Sequence, residues 1–178
     1  MKTTRRLAFF LPFICLAAAI CCAADAPPAG PYRDKKHGVS LTYPASWKTK
    51  PDNDYDLRLV PASGNAPSAI TFDAPDVPSI PLFGIPMGMV ESHYIDDLRS
   101  KHPGLTVDGA ENYSLAGANK ARLVRLSWKR EGIEHHSASL LIVHGNDVFI
   151  LCADSDANDW AAARGDFDKI AGTINWGK

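Results

Sequence analysis

Apolar and polar residues alternate along much of the chain after residue 31, and this pattern predicts mainly β-strands. Residues 38–43 alternate with a period of two, as expected for a strand that buries one face. Leu57 and Leu59, and then Ile70 and Phe72, repeat the same spacing and predict two more short strands.

Four further strands are predicted in the second half of the chain. They cover residues 105–115, 121–128, 133–143 and 148–153. The turns between them are short, so neighbouring strands should pair antiparallel. Residues 148–152 are apolar at every position, which is typical of a strand that is covered on both faces.

Two segments show helical spacing instead. The first lies in residues 78–103, where one face would carry Met87, Val90, Tyr94 and Leu98. The second follows a cap at Asp154, Ser155 or Asp156, and its apolar stripe would be Trp160, Ala163, Phe167, Ile170 and Ala171. Together the elements predict an α+β fold, an antiparallel sheet of about seven strands flanked by helices on both faces.

The first 24 residues have the order of a secretory signal peptide. Lys2, Arg5 and Arg6 precede an apolar run at 7–20, which is too short to span a bilayer comfortably. The small residues at 22–24 predict cleavage after Ala24, a flexible leader at 25–31 and a single domain at 32–178.

Removal of this signal changes the charge and the cysteine content. Three of the 19 Lys and Arg residues would be lost, leaving 16 against 20 Asp and Glu, so nucleic acid is not an expected partner. Cys152 would be the one cysteine left, and no internal disulfide could form. A lipidated cysteine normally follows a small residue, but Cys21 follows Ile20 and Cys22 follows Cys21. We therefore expect a periplasmic or secreted protein, and lipidation of Cys21 or Cys22 is the less favoured alternative.

Two segments resemble the PsbP-like and DcrB-like proteins. Residues 38–47 resemble the opening of that superfamily's domain, in which an aromatic residue is followed by Pro, two further residues and Trp. Residues 145–176 resemble its closing unit of hairpin, apolar strand, helix and final Thr-Ile-Asn-Trp. The resemblance implies a PsbP-like sandwich and binding to other proteins rather than catalysis. We expect no cofactor.

A proline-rich apolar segment is the candidate docking site for a periplasmic protein. It contains Ile80, Leu82, Phe83, Ile85 and Met87, and its prolines would order the backbone before binding. The alternative is a crossover whose apolar side chains cover the end of the core. An accessory or toxin-immunity role in the envelope would fit such a binding module.

The competing hypothesis is a small-ligand or metal-binding protein, or a hydrolase, with a site assembled from His93, Asp97 and His136. His93 and Asp97 lie four residues apart on the first predicted helix, but a zinc site needs three or four ligands, so we expect no metal. His135 and His136 should point to opposite faces of one strand. Cys152 lies among apolar residues and is expected to be an inert, buried thiol.

Overall fold

The computed structural model describes residues 28–64, 67–76, 84 and 86–177, which form ten β-strands and two α-helices. The strands are β1 (Pro28–Arg33), β2 (Val39–Pro44), β3 (Trp47–Thr49), β4 (Leu57–Pro61), β5 (Ala69–Asp73), β6 (Thr106–Asn112), β7 (Lys120–Arg130), β8 (Ile133–His144), β9 (Asp147–Asp156) and β10 (Asn175–Trp176). The helices are α1 (Met87–Lys101) and α2 (Trp160–Ala171).

Seven strands form the main sheet, in the order β3-β4-β5-β9-β8-β7-β6, and every neighbouring pair is antiparallel. The four strands predicted in the second half of the chain are β6 to β9. They are adjacent because each turn between them is short, and the prediction of an antiparallel sheet is confirmed.

A second sheet of three strands, in the order β1-β2-β10, was not predicted. The strand predicted at 38–43 belongs to this sheet as β2, and β3 takes the seventh place in the main sheet. The pairing of β2 with β10 joins Ser40 to Asn175, far apart in sequence, so no local pattern could indicate it. Pro28 and Pro31, which we assigned to the flexible leader, lie in β1, an edge strand where proline is tolerated.

Both predicted helices form. The second keeps its predicted stripe, with Phe167 and Ile170 fully buried, but it begins at Trp160 rather than directly after residue 156. The reason is that β9 continues to Asp156, whose carboxylate accepts hydrogen bonds from the backbone N–H groups of Asn158 and Asp159. Asp156 therefore orders the turn before the helix instead of capping it.

The core consists of two main apolar clusters that share the central strands. Leu140 and its neighbour Leu141 are both fully buried, yet they belong to different clusters. The Leu140 cluster includes Phe167 of α2, and the Leu141 cluster includes Ile95 of α1. Alternate residues of β8 thus pack into two separate apolar layers. That helices flank both faces of the sheet stays a prediction.

The aromatic-Pro-x-x-Trp motif connects the start of the main sheet to α2. Trp47 is 5% exposed, and its indole N–H donates to Asp166 Oδ2 at 2.7 Å. The Ser46 hydroxyl donates to the same oxygen at 3.2 Å. The motif is therefore a structural one, because its polar atoms bond to a helix residue rather than facing a ligand.

Candidate functional site

A cleft of about 850 Å³ lies between α1 and the main sheet. One wall is α1, with Val90, Tyr94 and Leu98, and the floor runs across β8, β9, β5 and β4. Helix α1 packs against β7 and β8, while the cleft extends over the three strands beyond them. The size is in the range of small-molecule sites, which are usually about 300–1,000 Å³.

The alternation of side chains along β9 explains why the cleft is on this face. Phe149, Leu151 and Ala153 point to the Leu140 cluster and are fully buried. Ile150, Cys152 and Asp154 line the cleft instead. Polar groups are costly to bury without partners, so a face that carries a thiol and a carboxyl group is poorly suited to close packing against a helix.

A network of hydroxyl and thiol groups crosses the floor under α1. The Tyr94 and Ser139 hydroxyls are 2.7 Å apart, and Ser139 donates to Cys152 Sγ at 3.4 Å. Ser137 Oγ lies 3.3 Å from the same sulfur. Burial raises the pKa of the Cys152 thiol and raises the pKa of Tyr94 well above its usual value. Both groups are therefore protonated at neutral pH, and the network supplies hydrogen-bond partners rather than a nucleophile.

One end of the cleft carries stacked rings beside a carboxylate. Trp128 stacks on His102, with ring centroids 4.5 Å apart, and on His135 at 5.7 Å. His135 Nδ1 is 3.7 Å from Asp154 Oδ1, too far for a hydrogen bond, and this buried oxygen has no hydrogen-bond partner among the described residues. Burial raises the pKa of Asp154, and burial also lowers the pKa of His102, while the attraction between the two groups partly opposes both shifts.

Carboxylates on the other side of the cleft are also incompletely neutralised. Burial and the nearby Asp56 carboxylate raise the pKa of Asp73. The two lysine and arginine side chains of the lining are already paired, since Arg58 contacts Asp52 at 2.8 Å and Lys101 contacts Asp97 at 2.8 Å. The cleft therefore has an acidic character.

The predicted docking segment is described in the structure only at Met87 among its candidate residues. Ile80, Leu82, Phe83 and Ile85 lie outside the described residues. Met87 is the first residue of α1, is half-buried and packs against both the Leu141 cluster and the Val143–Val148 pair. Protein binding through this segment stays a prediction.

The predicted histidine sites are only partly brought together. His93 and Asp97 both line the cleft, with Asp97 paired to Lys101. His136 instead packs near Trp160 of α2, with ring centroids 5.7 Å apart. Within the described parts of the chain, no three potential ligands are close enough to hold a metal ion.

Sequence reasoning missed the polar residues of the floor. Ser137 and Ser139 alternate with Ala138 and Leu140 along β8, so the face that carries polar residues could have been identified from the period of two. Its position before α2 predicts Asp154 as a candidate helix cap, yet Asp154 pairs with Ser137 in the ladder between β8 and β9.

Comparison with known proteins defines the fold. No protein-family model and no curated protein matches the chain. Among solved structures, cyanobacterial PsbP (CyanoP) from Synechocystis aligns with a TM-score of 0.64 over 88% of this chain and 96% of that one, at 13% identity. The chain has a PsbP-like fold.

Two further solved structures share this PsbP-like fold. LpqN, which is involved in cell envelope biogenesis of Mycobacterium tuberculosis, aligns with a TM-score of 0.59 and 18% identity over 82% of this chain and 88% of LpqN. PA94 from Pseudomonas aeruginosa, a putative regulator, aligns with a TM-score of 0.54 and 18% identity, covering 81% of this chain and 94% of that one. In the part of the chain that the structure describes, neither helix is long and apolar enough to cross a membrane.

Proposed function

We propose that this protein is a non-catalytic binding protein that acts outside the cytoplasm and holds its ligand in the cleft beside α1. The observation that carries the proposal is the cleft itself, about 850 Å³ in volume, with a floor of hydrogen-bonded hydroxyl and thiol groups. The signal-like residues 1–24 support an extracytoplasmic location.

The positions of the two helices support a ligand site on one face of the main sheet. Successive residues of a strand point to opposite faces of the sheet. Leu140 joins the apolar cluster of α2 and Leu141 joins that of α1, so we infer that the helices cover opposite faces. The Leu140 face is mainly apolar, with the hydrogen-bonded Ser68 and Ser155 hydroxyls buried at one end of it, while the α1 face carries polar side chains and the cleft.

The chemistry of the floor favours binding over catalysis. Ser137 and Ser139 bond to each other and to Cys152, and Ser139 also bonds to Tyr94, so no base activates either hydroxyl through these contacts. Cys152, whose pKa is raised by burial, is a poor nucleophile at neutral pH.

Filling the cleft tests this function. Thr71 lies on β5 opposite Cys152 and lines the floor, so Thr71→Trp should occupy the cleft while keeping a residue that strands favour. Thr106→Trp places the same side chain at an exposed position on the edge strand β6 and is the matched control.

The measurement is a thermal-shift screen of a diverse small-molecule library against the three proteins. We expect compounds that raise the Tm of the wild type and of Thr106→Trp but leave Thr71→Trp unchanged. Circular dichroism would verify that both variants fold. A screen without such compounds, or compounds that stabilise Thr71→Trp equally, would refute binding in the cleft.

A further inference from the structure

Helix α1 is held in place by much less apolar burial than α2. Of its 15 residues one, Ile95, is buried, whereas four of the 12 residues of α2 are buried, namely Ala163, Phe167, Ile170 and Ala171. Phe167 and Ile170 are fully buried, while Ile95 is 8% exposed. Most of the stability of a helix in a protein comes from the packing of its apolar face, so α1 should leave the sheet at a lower free-energy cost than α2.

The cleft explains why α1 buries so little. Val90, Tyr94 and Leu98 are half-buried, because they pack against the Leu141 cluster and also line the cleft. Helix α1 packs on β7 and β8, and the cleft lies beside it over β9, β5 and β4. Movement of α1 away from the sheet would therefore widen an existing opening rather than separate two fully closed apolar layers.

The polar contacts between α1 and the sheet can be replaced by contacts with water. The Tyr94 and Ser139 hydroxyls are 2.7 Å apart, and Glu91 is paired with Arg122 of β7. The side chains of Glu91 and Arg122 are 18% and 27% exposed, so water already reaches this ion pair. Groups that exchange a protein partner for water lose little net free energy, so these contacts hold α1 only weakly.

The chain is fixed to the sheet directly after α1 ends. The His102 ring stacks on Trp128, with centroids 4.5 Å apart. Leu105 is buried in the Leu141 cluster, and its backbone N–H donates to the His102 carbonyl at 3.1 Å. A rotation of α1 about its His102 end would therefore leave β6, which follows, in its place in the sheet.

We propose that α1 is a movable wall of the cleft, which swings away from the sheet about its His102 end while α2 and the main sheet stay folded. Elements that bury few apolar side chains are the ones that open at the lowest free energy in native proteins. Opening would expose the floor, since Ser139 is fully buried while Tyr94 contacts it. The inference goes beyond the proposed function and does not depend on it, because the movement would occur in the ligand-free protein.

Hydrogen exchange of the native protein measures this opening. The backbone amides of α1, α2 and the central strand β8 would be followed by NMR at several urea concentrations below the unfolding transition. We expect the protection factors of α1 to be at least about tenfold lower than those of α2 and β8. They should also fall less steeply with urea, because a local opening exposes less surface than global unfolding. Equal protection factors with equal urea dependence would overturn the inference.

The same substitution in each helix separates local opening from global unfolding. Ile170→Val removes one methyl group from the α2 packing and should raise the exchange rates of β8 about fivefold, while those of α1 stay unchanged. The reason is that the α2 packing is lost on global unfolding but is kept when α1 opens alone. Ile95→Val weakens the packing of α1 on the sheet and should raise the exchange rates of α1 and β8 together, about fivefold.

Either variant can contradict the proposal. If Ile170→Val raises the exchange rates of α1 as much as those of β8, α1 leaves the sheet only when the whole domain unfolds. If Ile95→Val leaves the exchange rates of α1 unchanged, the amides of α1 exchange without any separation of the helix from the sheet. Circular dichroism would verify that both variants fold.

Discussion

Gly117 is the position where a single methyl group should disturb the contact between the second sheet and the main sheet. Its φ is +78°, and a Cβ atom there would lie 2.5 Å from Cδ1 of Trp176 on β10. The Trp176 indole N–H donates to the Ala116 carbonyl at 2.9 Å, and its ring stacks on His144 at 4.2 Å. Gly117→Ala would thus force Trp176 to move and weaken these contacts.

The expected loss follows from three contributions. The left-handed backbone conformation costs an alanine about 1 kcal/mol or slightly more. Loss of the indole hydrogen bond contributes about 1 kcal/mol, and loss of the ring stacking contributes about 1 kcal/mol. We therefore expect Gly117→Ala to lower the free energy of unfolding by about 3 kcal/mol.

Gly145→Ala is the matched control. Its φ is +61°, also left-handed, but no atom lies within 4 Å of the added Cβ. It should lose only the backbone contribution, about 1 kcal/mol. Urea denaturation followed by circular dichroism measures both values. Equal losses in the two variants, or an unchanged Gly117→Ala protein, would refute the packing of Trp176 against this turn.

Three further predictions concern single polar side chains. Asp73→Asn should raise the free energy of unfolding at neutral pH by at most about 0.5 kcal/mol, because burial and Asp56 raise the pKa of Asp73 and disfavour its charge, while solvent screens this partly exposed group. As pH rises from the ordinary Asp pKa through the raised value, Asp73 ionises and the wild-type protein loses stability. The stability gained by Asp73→Asn should therefore disappear below the ordinary Asp pKa. A gain that persists at that acidic pH would contradict the prediction. Iodoacetamide should label the half-buried Cys152 in the native protein about tenfold or more slowly at pH 7 than in urea, because the pKa of its thiol is raised, and equal rates would exclude a protonated, shielded thiol. Asp166→Ala should lower the free energy of unfolding by about 1–3 kcal/mol, because it leaves the buried Trp47 indole N–H without an acceptor. If Asp166→Ala lowers it by a similar amount in a Trp47→Phe background, this hydrogen bond is not the cause.

The elements that sequence reasoning found are those whose signal is local. The strands β6 to β9 are long, alternate regularly and are separated by short turns, so both their positions and their pairing follow from the sequence. The stripe of α2 is equally regular, with Ala163, Phe167 and Ile170 buried on one face.

The second sheet could not be predicted because its pairing is not local. Strand β10 has two residues, and it exists as a strand because Asn175 and Trp176 pair with Ser40 and Val39 near the start of the domain. Thr173 reinforces this contact through hydrogen bonds to the backbone of Thr42. A two-residue strand has no period to detect.

The candidate site was harder to predict than the fold for a similar reason. The period of two separates the face of Ser137 and Ser139 from the face of Ala138 and Leu140, but it does not show which face a helix leaves open. That depends on where α1 packs across the sheet, which is a tertiary property.

Mapping a bound compound onto the backbone amides shows whether the ligand lies in the cleft beside α1. The compound that raises the Tm of the wild type most in the library screen would be titrated into isotope-labelled protein. We expect the largest chemical-shift changes at floor residues such as Thr71, Ser137 and Cys152, with little change at Trp176. Changes concentrated on the second sheet or on α2 would contradict the assignment of the cleft as the binding site.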